Sequence, residues 1–215
     1  MYIPHSFAEH DLPTVFAFLQ AHPLAALITG STTEGLLATH LPLVLDRESG
    51  PRGTLIGHLA RANPQSRCLA DGPVPALVLF TGPEAYITPT WYATKTETGR
   101  VVPTWNYVAV HAYGTLRLHD DPAFLRAHLE TLTREHERTQ REPWQISDAP
   151  DAFIAQQIHA IVAVSLQIER LEAKWKMSQN RSDADITGVI HGLSSSPTPR
   201  DREVAAIVAE RRPTR

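Results

Sequence analysis

The chain has 215 residues, which fits one large domain or one domain with an elaborated end. Its 42% hydrophobic content is too high for a disordered chain, and a formal charge of −3 with a pI near 6.4 gives no electrostatic footprint for nucleic acid. A lone cysteine, Cys68, excludes an internal disulfide framework and any CxxC site, and the absence of an 18-residue apolar run or a signal-like start leads us to expect a cytoplasmic protein.

The first element reads as a helix: Asp11 can cap it, Pro13 suits its first turn, and Val15, Phe16 and Leu19 fall at helical spacing. His22-Pro23 ends it, because the residue before proline is pushed out of the α region. An apolar run over 24–29, a polar turn over 30–35 and a strand over 36–46 then predict a hairpin. In that second strand Thr39, Leu41, Leu43 and Leu45 share one face, and His40, Val44 and Asp46 the other. A Gly- and Pro-containing turn over 48–53 leads to a short strand over 54–60. Asn63-Pro64 opens a short helix through Ala70.

A long strand over 75–87, bent at Gly82-Pro83, is followed by an expected loop over 88–100. The strand over 105–119 alternates most cleanly, with Val108, Val110, Ala112, Leu116 and Leu118 against Tyr107, His111, Tyr113 and Arg117. Asp121-Pro122 caps a helix whose apolar face carries Phe124, Leu125, Leu129 and Leu132, with His128 among them; it fades into a charged run over 134–142. A short helix over 152–158 precedes the last long strand, 161–171, whose phase slips at Glu169-Arg170. That slip predicts a bulge or a strand leaving one sheet edge for another contact. Helices over 186–193 and 200–211 close the chain. About six antiparallel strands joined by short turns, with few helices, predict a mainly β fold with peripheral helices (α+β), a small antiparallel barrel and no βαβ sheet.

Three places could carry chemistry. Trp91, Tyr92, Trp105 and Tyr107 fall in two flanking segments of a chain that is only 7% aromatic. They could form a slot for a flat conjugated ring, or equally a minicore or half of a dimer interface. His58, Arg61, Asn63 and Pro64 join a strand end to a helix start, which suits either an anion or ordinary capping. Lys174, Trp175, Lys176, Ser178, Gln179, Asn180 and Arg181 form a dense polar, basic cluster after a strand, which is either a site or a solvated strand exit. The histidines show no metal-ligand spacing, so no metal is expected. No GxGxxG, P-loop or nucleophile elbow occurs, and no catalytic residue can be named. The end of the chain, 199–215, has five arginines against three acids, a net of +2, too weak for a DNA-binding tail.

Taken together, several segments resemble the PaiB-type family of FMN-binding negative transcriptional regulators. They are Met1-Tyr-Ile-Pro4, Ala38-Thr-His-Leu-Pro42, the stretch from Gly57 to Gln65, the stretch from Gly82-Pro83 to Thr90-Trp-Tyr92, the stretch from Val102 to His111, Lys176-Met-Ser-Gln-Asn-Arg181 and the stretch from Gly188 to Leu193. The resemblance implies an FMN-binding split β-barrel over 1–175, a C-terminal helical extension over 176–215 and a homodimer. It further implies FMN phosphate near His58, Arg61 and Asn63, and backbone groups of Thr39, His40, Leu41 and Pro42 at the ring edge. Trp91, Tyr92 and Trp105 would flank the ring, and Lys176, Ser178, Gln179 and Asn180 would close the site. The sequence departs from the family's pattern at Ser66, Glu84 and Ile186. Function is therefore expected to be that of an FMN-binding regulator acting without direct DNA readout; a flavin-dependent oxidoreductase and a haem-binding barrel are the alternatives.

Overall fold

The computed structural model describes residues 1–31, 35–69 and 72–213. The centre of the expected 30–35 turn, and Ala70 at the end of the expected short helix, lie outside them.

The chain begins with β1 (Ala8–Glu9) and α1 (Leu12–Ala21), which Asp11 caps by accepting from the Thr14 backbone N–H at 3.0 Å. β2 (Leu24–Ser31) and β3 (Gly35–Pro42) form the expected hairpin, in register from Leu24 opposite Pro42 to Ser31 opposite Gly35. The strand expected over 36–46 is broken at Leu43, whose N–H donates to the Pro23 carbonyl, and resumes as β4 (Val44–Asp46). Leu43, Val44 and Leu45 are consecutively buried, so the predicted alternation fails there. β5 (Thr54–Ala60) and α2 (Pro64–Cys68) follow, then β6 (Val74–Ile87). The expected 88–100 loop instead holds a 3-10 turn, Pro89–Trp91, and α3 (Ala93–Thr98). β7 (Thr104–His119), α4 (Pro122–Glu137), α5 (Asp151–His159), β8 (Ile161–Lys176), α6 (Asp183–Ser194) and α7 (Pro199–Glu210) complete the described elements.

The strands form one antiparallel split barrel in the order β3-β2-β6-β7-β8-β5-β4, with β1 paired to β8 off this path. β8 runs past the expected end at 171. It pairs with β5 through Ile161 to Gln167 and with β1 at Ala173 and Lys174, so the phase slip at Glu169-Arg170 marks a change of partner. β7 keeps its predicted parity, burying Val108, Val110, Ala112 and Leu116.

The residues group into two compact units. Unit 1 comprises Met1–Val15, Thr81–Val110 and Glu172–Arg215. Its helical part is cored by Ile186, Val189 and Leu193 of α6 and Val204, Ala205 and Val208 of α7. Unit 2 comprises Phe16–Phe80 and His111–Leu171. It buries Leu27, Leu55, Leu59, Val78, Phe80, Val164 and Leu166, each a gain of about 1.5–3 kcal/mol before entropy is counted. Among the described residues no helix is long and apolar enough to cross a membrane.

Candidate functional site

The residues singled out by the sequence fall into two clusters, one in each unit. In unit 2, Asn63 caps α2 by accepting from the Gln65 N–H at 2.9 Å and donates from Nδ2 to Thr39 Oγ1 at 3.0 Å. That contact ties the helix start to β3, on which His40 is exposed, Leu41 buried and Pro42 half-buried. Arg61 donates to Asp120 Oδ1 at 2.8 Å and to the carbonyls of His159 and Ile161. Its bond to Asp120 raises its pKa, and the same contact holds the Asp120 carboxyl below its ordinary range. His58 lies with Nδ1 3.2 Å from Nε2 of His128, one ring donating and the other accepting. Burial lowers the pKa of both. His128, 5% exposed, is pushed down to about 4, chiefly by burial and further by His58. The pair is neutral at physiological pH and is no cation.

In unit 1 the aromatic segment is seated on α6. A Cβ on Gly188 would lie 1.9 Å from the Trp91 carbonyl oxygen, and one on Gly192 2.3 Å from the Trp91 indole, so only glycine admits Trp91 there. Asp185, 3% exposed, accepts from the Thr94 N–H at 2.9 Å and from Thr94 Oγ1 at 2.8 Å, fixing the start of α3. Tyr92 is buried beneath the Arg181 guanidinium, 4.6 Å from its ring centroid. Burial raises the pKa of its hydroxyl, against the opposing effect of the Arg181 guanidinium. Trp105 remains 53% exposed and meets Tyr86 edge-on at 5.9 Å.

The basic cluster after β8 is built, not frayed. Ser178 adopts φ 66°, which costs an L-residue about 1–2 kcal/mol. It is held by hydrogen bonds with buried Asn106 at 3.0 and 3.3 Å. Gln179 closes the turn, donating to the Trp175 carbonyl and accepting from the Met177 N–H, and Asn180 is exposed. Lys176 donates to Thr104 Oγ1 and to the Trp105 carbonyl, with its Nζ 6.0 Å from the Tyr107 ring. Lys174, 7% exposed, donates to the Tyr2 carbonyl at 3.1 Å and lies 5.1 Å from the same ring. The Lys176 pKa is lowered, first by burial and then by the charges of Lys174 and Arg181. Sequence reasoning missed Asp185, Gly188 and Gly192 as holders of the aromatic segment; two glycines four apart in a helix were the available signal.

The family described as "Putative FMN-binding domain" matches residues 1–170. An uncharacterized Aspergillus fumigatus protein is 35% identical, covering 98% of this chain and 97% of its own length. The Bacillus subtilis "Protease synthase and sporulation protein PAI 2" is 30% identical, covering 98% of each. Among solved structures, the FAD and heme binding protein from Mycobacterium smegmatis shares the fold at TM-score 0.57 and 17% identity, over 81% of this chain and 76% of that one.

Proposed function

We propose, from the premise that the chain belongs to the family of FMN-binding domains and has FMN as its cofactor, that it is a homodimeric, cytoplasmic flavoprotein with a regulatory role exerted without direct DNA readout. The observation that carries the flavin reading is the composition of unit 1. Tyr86 of β6 and Trp105 of β7 form an exposed aromatic pair, and the Trp105 carbonyl accepts from the Lys176 ammonium. Aromatic faces suit a flat conjugated ring, and ammonium groups suit its polar edge and phosphate.

These residues fit FMN, and the chain would hold it through Trp91, Tyr92, Trp105, Lys176, Ser178, Gln179 and Asn180. Thr39, His40, Leu41, Pro42, His58, Arg61 and Asn63 of unit 2 enter by the resemblance alone. Bound FMN supplies electron acceptance and donation. In this reading the barrel comprises 1–175 and a helical extension 176–215. The exposed, touching Tyr86 and Trp105 support dimerisation, because exposed aromatic surface is enriched at interfaces. The regulatory reading draws on the name of the Bacillus subtilis relative. Its indirect form draws on charge: 20 basic residues against 23 acidic ones leave little to neutralise DNA phosphates.

One observation favours a second reading, a flavin-dependent oxidoreductase. The cations Lys174, Lys176 and Arg181 gather near the aromatic segment, where they would stabilise charge developing on a reduced ring. The visible spectrum of the purified protein, before and after FMN is added, tests flavin binding: perturbed flavin bands are expected, and the spectrum of free FMN would remove the reading. NAD(P)H oxidation by the loaded protein, absent under the regulatory reading, separates the two.

A further inference from the structure

Among the described residues of unit 1, two ammonium groups that are buried or half-buried, those of Lys174 and Lys176, are answered by no acid. Four arginines meet carboxylates, Arg61 with Asp120, Arg200 with Glu84, Arg211 with Glu9 and Arg212 with Asp183, while Arg47, Lys95 and Arg202, which bond neutral oxygens, are exposed to water. Lys174 and Lys176 are more deeply placed than Arg61 or Arg200, yet among the described residues neither forms an ion pair. Their partners are the neutral oxygens of Tyr2, Thr104 and Trp105 and the ring of Tyr107. A third cation, Arg181, is close enough to act on Lys176.

Withdrawing a charge from water without an opposite charge is unfavourable, so a fold that does so twice beside one ring is arranged for something it does not itself supply. An ammonium has three donors. Lys174 gives one to the Tyr2 carbonyl and Lys176 two to neutral oxygens, which leaves N–H groups for a ligand. The left-handed Ser178, pinned by Asn106, fixes the backbone just beyond Lys176, as strained residues do at built sites.

We propose that Lys174, Tyr107 and Lys176 form a cradle for a phosphate monoester dianion, whose oxygens accept from the two ammonium groups. The phosphate is either that of the flavin itself or that of a second, phosphorylated molecule. The first source rests on the flavin reading; the second does not. The resemblance assigns the phosphate to His58, Arg61 and Asn63 instead, and does not assign Lys174 at all.

The test compares FMN with riboflavin, which lacks the phosphate, on the full chain and on Lys174→Met, Lys176→Met and the charge-keeping Lys174→Arg and Lys176→Arg variants. Inorganic phosphate is titrated separately by calorimetry, and circular dichroism checks folding; Lys176→Gln stands in if a Met variant does not fold. If the flavin's own phosphate is held, the native protein prefers FMN by about 10- to 150-fold, the Met variants lose that preference and the Arg variants retain most of it. If a second molecule is held, the preference is the same in all variants, while inorganic phosphate binds the native and Arg proteins and not the Met ones. Either result upholds the cradle. Met variants that change neither the preference nor phosphate binding overturn it, as does an equal loss of FMN and riboflavin with phosphate binding intact. Should the native protein bind neither flavin, the flavin reading fails and the inorganic-phosphate titration alone decides: phosphate lost in the Met variants upholds the cradle, and phosphate absent from the native protein overturns it.

Discussion

The basic cluster around Arg61 in unit 2 and the one around Lys176 in unit 1 are treated in opposite ways. In unit 2 the Arg61 guanidinium is answered by Asp120 and two carbonyls, and His58 is made neutral by burial against His128. In unit 1 Lys174 and Lys176 have, among the described residues, only neutral hydrogen-bond partners. The number of cations in a motif therefore says less about a ligand than the number left without an acid. That second number depends on residues far away in sequence; Asp120 is 59 positions from Arg61.

The comparison can be broken most severely at the support of the unit 1 aromatic segment. Gly192→Leu places a side chain where the Trp91 indole lies, 2.3 Å from an ideal Cβ. Overpacking of this kind costs about 1–3 kcal/mol or more, and it should both lower the melting temperature and abolish FMN binding. A stable variant with native FMN affinity would show that Trp91 takes no part in the site.

An effect of similar size on stability alone is expected in unit 2. Protonating His128 requires the buried pair to open, so the unfolded chain takes up the proton first. Because its folded pKa, about 4, lies below the unfolded value of 6.5, its contribution is complete above about pH 6.5 and is lost as pH falls towards 4. The loss should amount to up to about 3 kcal/mol. His128→Leu should flatten that acid limb of a denaturation-midpoint profile while leaving FMN affinity at neutral pH unchanged. An unaltered pH profile would remove the histidine pair as its source.

The smallest effect belongs to the answered cation. Arg61 and Asp120 form an exposed pair, with side chains 46% and 67% accessible, so Asp120→Asn should leave the denaturation midpoint almost unchanged, and more so at high salt. A marked gain in FMN affinity in that variant would mean that freeing Arg61 creates a phosphate ligand, which sharpens the contrast between the units into a competition.

Much of the fold was legible in the sequence because its signals are local. The Asp11, Asn63 and Asp121 caps, the β2–β3 hairpin and the parity of β7 all rest on neighbours within a few residues. Failures occurred where distant partners decide. α3 was expected to be loop, and its start is held by Asp185, 91 positions from Thr94. β8 outruns its apparent end because β1, from the opposite end of the chain, takes over at Ala173 and Lys174. The break at Leu43 follows from a bond to Pro23 that no alternation pattern encodes. Of the candidate site, Lys176 and Ser178 were legible as a dense motif. The lack of an acid beside Lys174 was not, because an absent partner leaves no mark on a sequence.

The most direct test of this contrast is a side-by-side FMN titration of the native chain, Lys176→Met and Arg61→Ala, read by flavin fluorescence quenching. Saturable binding to the native chain is expected, weakened at least about tenfold in Lys176→Met and by no more than about threefold in Arg61→Ala. The reverse order, with Arg61→Ala the damaged protein and Lys176→Met near native, would contradict the account and return the phosphate to unit 2.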